Sequence, residues 1–481
     1  MKFILNKKTY YILVILIWAS YFIFSIYYID SIKSRPNVIY ELIVCGIIMQ
    51  LTLISFLRSW AYYKQPTLLD WFRLTTFYVI IANYLTLIDK LGGKISWVYG
   101  SVYLKQSEIL PTLFVILVGL IAMSPVEVLI KFIYRKNKNV EISETTTSYY
   151  LRRKALFYGI GLIIFPTQIL LIVTGVIGYG TGQESSVSGF SFLLLILNSL
   201  CAFYLLTLGF LKFYYNSKDR TESFFLYLFL SLSLVFGLLS GMKENTIVPI
   251  VTFSIPFLLG GRTVPKKLII IGGLVIALIY PLNNNYRDAL NNFQKIDKTQ
   301  AFGIAVAKTY SSGFTDSFKE SSDSFSSRLA MFPILQYSVE HENEWKYFKN
   351  MDRFAYLPIS FLPRFFIPSK PIADTGEVLN TMISGYENNS QTPTTYGWAY
   401  LEGGYQYVFL SFLLFGIVIS IIQSKVDKDN FFTLLLFGNV LIMMLKIETD
   451  IYFLIAKILQ DIIIFYIFYK VFLKKYPVVS Q

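Results

Sequence analysis

Apolar residues are gathered into runs at 10–28, 38–57, 72–88, 109–130, 155–177, 190–211, 224–241, 246–260, 268–283, 406–423, 430–446 and 450–472. A helix needs about 20 such residues to cross a hydrocarbon layer. The pattern therefore predicts an all-α, polytopic integral membrane protein with about twelve transmembrane helices. The run 246–260 is short and holds Pro249 and Pro256, which a span tolerates when neighbouring helices cover the freed carbonyls. A single long polar interval, 284–405, separates the ninth run from the tenth. It is rich in Phe, Tyr, Trp, Leu and Ile, residues that require burial, so it predicts an ordered external cap with short helices near 326–341 and 376–385. The expected organisation is a nine-helix membrane region over 1–283, the cap over 284–405 and a three-helix membrane region over 406–481.

Composition supports the membrane class. Of 481 residues, 54% are hydrophobic and only 15% charged, with a mean hydropathy of +0.53, more apolar surface than a soluble fold of this size hides. The net charge of +13 raises the question of nucleic acid, and its distribution answers it. With the first segment placed in the cytoplasm, the inward segments hold 24 Lys and Arg and the short outward ones 7, the bias expected of a membrane topology. The cap's 11 basic residues are nearly matched by 13 acidic ones, which excludes a nucleic-acid patch. Both termini are then expected in the cytoplasm, with the first run retained as an anchor.

Chemistry must come from few residues. No P-loop, dinucleotide fingerprint, HExxH or DxD pair occurs, and one histidine, His341, rules out a multi-histidine metal site; no cofactor is expected. Cys45 and Cys201 fall inside apolar runs and read as packing residues. His341 reads as a solvated loop residue. Lys457 and Asp461, four apart in the last run, are expected to face each other as an ion pair.

What remains is a set of cations in or beside the cap: Lys243, Arg287, Arg328, Arg353, Arg364 and Lys370. Gathered cations suit a diphosphate, because the arginine fork pairs with phosphate oxygens. Each also has a plainer reading, as an ion pair, a snorkelling side chain or a contact with lipid headgroups. In the stretch FLPRFFIPSKP, 361–371, prolines stiffen the backbone beside Arg364 and Lys370 and present both from a rigid turn. Glu402, at the start of the tenth span, is a candidate proton acceptor for a hydroxyl or a helix-start carboxylate.

These pieces together resemble the Wzy-type O-antigen and oligosaccharide repeat-unit polymerases. The residues that carry the likeness are Arg328, Pro363-Arg364, Lys370-Pro371, Thr392-Pro393, Tyr400 and Gly403-Gly404. The family pattern places a glutamate just before the tyrosine; here Ala399 stands there and the glutamate follows at Glu402. The resemblance implies a glycosyltransferase at the outer face of the bacterial cytoplasmic membrane that joins undecaprenyl-diphosphate-linked repeat units into O-antigen or capsule. Arg328, Arg364, Lys370 and Glu402 would then be catalytic, with Arg287, Lys243, Arg353 and Tyr400 binding substrate. Its partners would be the lipid-linked donor and acceptor, membrane lipid and a chain-length regulator protein. An O-antigen ligase, depending on His341, and a lipid-linked oligosaccharide flippase are the alternatives. The absence of a two-fold repeat and the size of the cap weigh against the flippase.

Overall fold

In a computed structural model, the protein is described over residues 5–31, 37–63, 66–87, 94–97, 100–103, 106–137, 147–174, 188–260, 281–290, 296, 298–311, 331–342, 353–359, 362, 366–367, 375–384, 391–427 and 429–477. The fold is mostly helical. In chain order the helices are α1 (Lys7–Ser31), α2 (Val38–Met49), α3 (Ser55–Tyr63), α4 (Leu68–Thr76), α5 (Ala82–Leu87), α6 (Gln106–Asn137), α7 (Lys154–Val173), α8 (Ser188–Gly209), α9 (Arg220–Leu239), α10 (Lys243–Leu259), α11 (281–290), α12 (Lys298–Ser311), α13 (Phe332–Glu340), α14 (Thr375–Ser384), α15 (Thr394–Lys425), α16 (Phe431–Met444) and α17 (Ile451–Phe472). Single π-helical turns, Gln50–Ile54 and Phe77–Ile81, join α2 to α3 and α4 to α5.

Among the described residues, eight helices are long and apolar enough to cross a membrane, and α10 and α16 are shorter apolar helices. Eleven of the twelve expected runs overlap described helices; the run 268–283 falls almost wholly outside the described residues. Side chains on α1 explain why the medium must be lipid. Ile15, Ile23 and Tyr27 expose 66%, 67% and 73% of their surfaces, a burden that water would penalise and acyl chains solvate.

The bundle core is aromatic and closely packed. Phe165 stacks on Phe229 with centroids 4.5 Å apart, and Tyr158 on Phe225 at 4.0 Å. Gly161 makes room for the first pair: a Cβ there would meet the Phe229 ring at 2.4 Å. Side chains cap the helix starts. Thr67 and Asp70 form a reciprocal capping box on α4, and Asn430 and Asp450 accept from the first backbone amides of α16 and α17, satisfying donors that a helix start leaves open.

Two ends of the bundle are distinct. At one, the strand Thr147–Leu151 pairs antiparallel with Leu473–Pro477, and the Tyr149 hydroxyl donates to the Asp429 carbonyl at 2.8 Å. A second small hairpin pairs Lys94–Trp97 with Gly100–Tyr103, so the all-helical expectation gains two short sheets. At the opposite end lie the expected cap helices, α13 and α14, the first packed between α6 and α15. Phe332 of α13 meets the Tyr84 ring at 4.6 Å, and the Tyr84 hydroxyl donates to buried Glu41 at 2.9 Å.

Candidate functional site

The site is built on a break in α15. Gly403 (φ 177°, ψ 32°) and Gly404 (φ 65°, ψ −154°) interrupt its helical backbone. The Gly404 conformation is one that side-chain-bearing residues avoid. Along an unbroken helix Tyr396 and Phe412 would stand about 24 Å apart. Instead their rings stack at 4.4 Å, so the chain reverses and 394–402 folds back alongside 405–425. Expected as the tail of the cap leading into the tenth span, this segment is a re-entrant limb seated in the bundle.

Named neighbours seat the limb. Tyr396 is fully buried, and its hydroxyl lies 3.2 Å from that of Thr76. Gly119 of α6 gives the ring its place, since a Cβ there would stand 2.7 Å from it. The start of the limb is held by the turn between α16 and α17. The Thr395 amide donates to the Ile447 carbonyl at 2.7 Å, the Thr395 hydroxyl is 2.8 Å from both the Ile447 and Thr449 carbonyls, and the Thr392 hydroxyl donates to Glu448 O. Thr394 adopts φ 72°, costly for a β-branched residue.

This turn lies below the elbow. The 14 residues of α16 rise about 21 Å, against a hydrocarbon thickness of roughly 30 Å. Three helix N-termini gather around it: α15 through Thr395, α17 through the Asp450 cap, and α10 through Glu244, which pairs with Lys446 of the turn. Helix N-termini carry partial positive charge, which the Asp450 and Glu244 carboxylates answer here.

At the elbow, the end of the α13 segment and the limb meet. The Tyr400 hydroxyl donates to Glu342 Oε2 at 2.9 Å, and the Tyr400 ring meets Tyr405 edge-on at 5.3 Å. Tyr405 in turn donates to the Pro111 carbonyl at 3.1 Å. His341 is half-buried rather than a solvated loop residue, stacked on Tyr337 at 4.0 Å at the end of α13, with Glu340 3.8 Å away.

Of the residues singled out from the sequence, Tyr400 and Glu402 lie on the re-entrant limb, and Glu402 is 7% exposed. Lys243 opens α10, Arg353 opens the 3-10 turn Arg353–Ile359, and Arg287 is half-buried on α11. Arg328, Arg364 and Lys370 lie outside the described residues. Lys457 and Asp461 do face each other, at 2.8 Å. Sequence reasoning missed Glu342, Tyr405 and Lys446, whose roles depend on contacts across distant segments. Among the described residues no three His, Cys, Asp or Glu side chains gather as a metal site.

The fold defines a mostly helical protein with several helices long and apolar enough to span a membrane. Residues 131–480 match the family described as a domain of unknown function (DUF8712), and the chain belongs to that family. No curated protein and no solved structure matches it.

Proposed function

We propose that the protein is a membrane glycosyltransferase that polymerises undecaprenyl-diphosphate-linked oligosaccharide repeat units into bacterial surface polysaccharide. In this reading it sits in the cytoplasmic membrane with about twelve spans, its cap end outward and both termini in the cytoplasm. The Lys and Arg excess on the opposite side supports that orientation.

The observation that carries the reading is the re-entrant limb. It sets a polar elbow, bearing Tyr400, Glu402 and Glu342, above the turn where three helix N-termini gather. A lipid-linked diphosphate needs polar groups for its sugars near the membrane and fixed cations for the leaving group. Arg364 and Lys370, with Arg328 and Arg287, are assigned the diphosphate clamp; Lys243 and Arg353 are assigned to the sugar-bearing side. A chain-length regulator is the expected protein partner.

Deleting the gene and separating both surface polysaccharide and lipid-linked intermediates tests the proposal. Surface material carrying single repeat units supports the polymerase. Full-length polymer stranded on its carrier makes it a ligase, a second reading favoured by the half-buried placement of His341 beside Glu340. Single units trapped on the inner leaflet make it a flippase. Arg364→Ala should abolish chain growth at normal membrane abundance, and Arg364→Lys should recover little, since the bidentate fork is lost.

A further inference from the structure

The end of the bundle where α7 begins and α17 stops carries the two-stranded sheet of Thr147–Leu151 with Leu473–Pro477. Both helices are long and apolar enough to cross a membrane, and a spanning helix ends in the headgroup layer. The chain itself therefore holds the sheet at that depth. Its register sets Tyr150 opposite Lys474 and Ser148 opposite Tyr476. Side chains alternate between the faces of a strand, and Tyr149, Leu151 and Leu473 are buried against the bundle. Tyr150, Lys474 and Tyr476 thus share the outer face. All three are exposed, and the two tyrosine rings meet with centroids 5.6 Å apart. Exposed Arg152 and Arg153 follow at once, and the Arg152 amide extends the ladder by donating to the Phe472 carbonyl at 2.6 Å.

Charge on this sheet has one sign. Neither strand nor the corner 152–154 contains an Asp or Glu, and none occurs after Asp461. Nearby carboxylates answer other groups: Asp219 and Glu222 face Lys154, and Asp427 bears on Tyr149, on the inner face. Among the described residues no carboxylate pairs with Arg152, Arg153 or Lys474. Exposed tyrosines beside unpaired cations are the composition of a surface that meets headgroups, ring among the glycerol esters and charge on phosphate. We propose that the outer face of this sheet docks anionic phospholipid headgroups, with Arg152 and Lys474 as the phosphate contacts. The guanidinium fork suits phosphate oxygens, and each cation near a negative surface adds about fivefold to affinity. Arg152 follows one strand and Lys474 belongs to the other, so a bound lipid bridges the two and favours the closed ladder.

Ser148→Cys sets a thiol on the outer face, and Cys45 and Cys201 are buried, so a fluorophore attaches at 148 in the folded, full-length protein. The labelled protein is reconstituted in vesicles of phosphatidylcholine and phosphatidylglycerol, with one of the two brominated near its headgroup in each sample. Quenching then reads which lipid lies against the sheet. Two cations in contact give an expected preference for phosphatidylglycerol of about 25-fold, most of it lost in about 0.5 M salt. Arg152→Gln and Lys474→Gln should each lower the preference about fivefold, whereas Arg152→Lys, which keeps the charge, should retain most of it. Equal quenching by both lipids overturns the proposal, and so does a full preference in both glutamine variants, which moves the contact off this sheet. A label quenched by neither lipid also overturns it, leaving the sheet in water as a surface for a soluble partner. Should a glutamine variant fail to fold, the salt titration on the otherwise wild-type protein decides: a preference indifferent to salt rules out the charge contact.

Discussion

Asp461 is the point in the bundle where one substitution should cost most. It is 1% exposed and serves three donors on three helices. Oδ1 accepts from Lys457 at 2.8 Å and from Ser199 of α8 at 2.6 Å, and Oδ2 accepts from Asn439 of α16 at 2.7 Å. Replacing it with Ala removes the Lys457 counter-ion and leaves the Asn439 amide without this acceptor, while Ser199 keeps the Leu195 carbonyl. Removing one partner of a fully buried pair costs about 3–5 kcal/mol. Lys457 keeps 30% of its side-chain surface, and hydrogen bonds between membrane helices contribute only about 0.6 kcal/mol each on average, so about 2–4 kcal/mol is expected for Asp461→Ala. The double variant Lys457→Met/Asp461→Leu removes the charge from both sides and should return to within about 1 kcal/mol of wild type. Cys45 and Cys201 are free and buried, so a thiol-reactive dye reports unfolding in detergent without an added label. If the double variant is as unstable as Asp461→Ala, or if Asp461→Ala alone is neutral, the charge-compensation argument is wrong.

The remaining expectations concern the elbow and the sheet end. Gly404→Ala should destabilise by about 1–3 kcal/mol through backbone strain alone, because the space beside it is open; dye-detected unfolding measures it, and no loss would refute the backbone argument. Gly119→Val should push out the Tyr396 ring, whose edge already leaves no room for a Cβ; a cysteine placed at Thr395 should then label faster, and unchanged labelling would refute the seating of the limb. At the sheet end, the Lys154 ammonium donating to Asp219 holds that carboxyl below its usual range, against a smaller upward push from burial. A depressed carboxylate stabilises above its unfolded pKa of about 3.9 and loses that contribution as pH falls through the folded value. Asp219→Asn keeps a cap on α9, so the gap in melting temperature between wild type and variant should be constant at neutral pH and close below about pH 4.

Run length alone made the helices legible, and charge spacing placed Lys457 opposite Asp461. The short helices at Phe332–Glu340 and Thr375–Ser384 were readable because their aromatic and aliphatic residues demand burial. The hairpin was not. A Gly-Gly step among tyrosines reads as a loop entering a span, and nothing local tells the 394–402 limb to fold back. That is decided by Gly119, the Thr76 hydroxyl and the carbonyls of Ile447 and Thr449, all contributed by other helices. For the same reason the carboxylate that meets Tyr400 went unread: Glu342 comes from the end of the α13 segment, far away in sequence.

The pairing of Thr147–Leu151 with Leu473–Pro477 carries a consequence for biogenesis. The first strand emerges from the ribosome with α7 and finds no mate until every later helix has been threaded into the bilayer, since its partner is the last described element to be made. Through that interval its edge is unsatisfied and open to association, and closure of the ladder marks completion of the bundle. A stalled or truncated nascent chain therefore displays an open strand edge, a ready handle for the quality-control proteases that patrol the membrane.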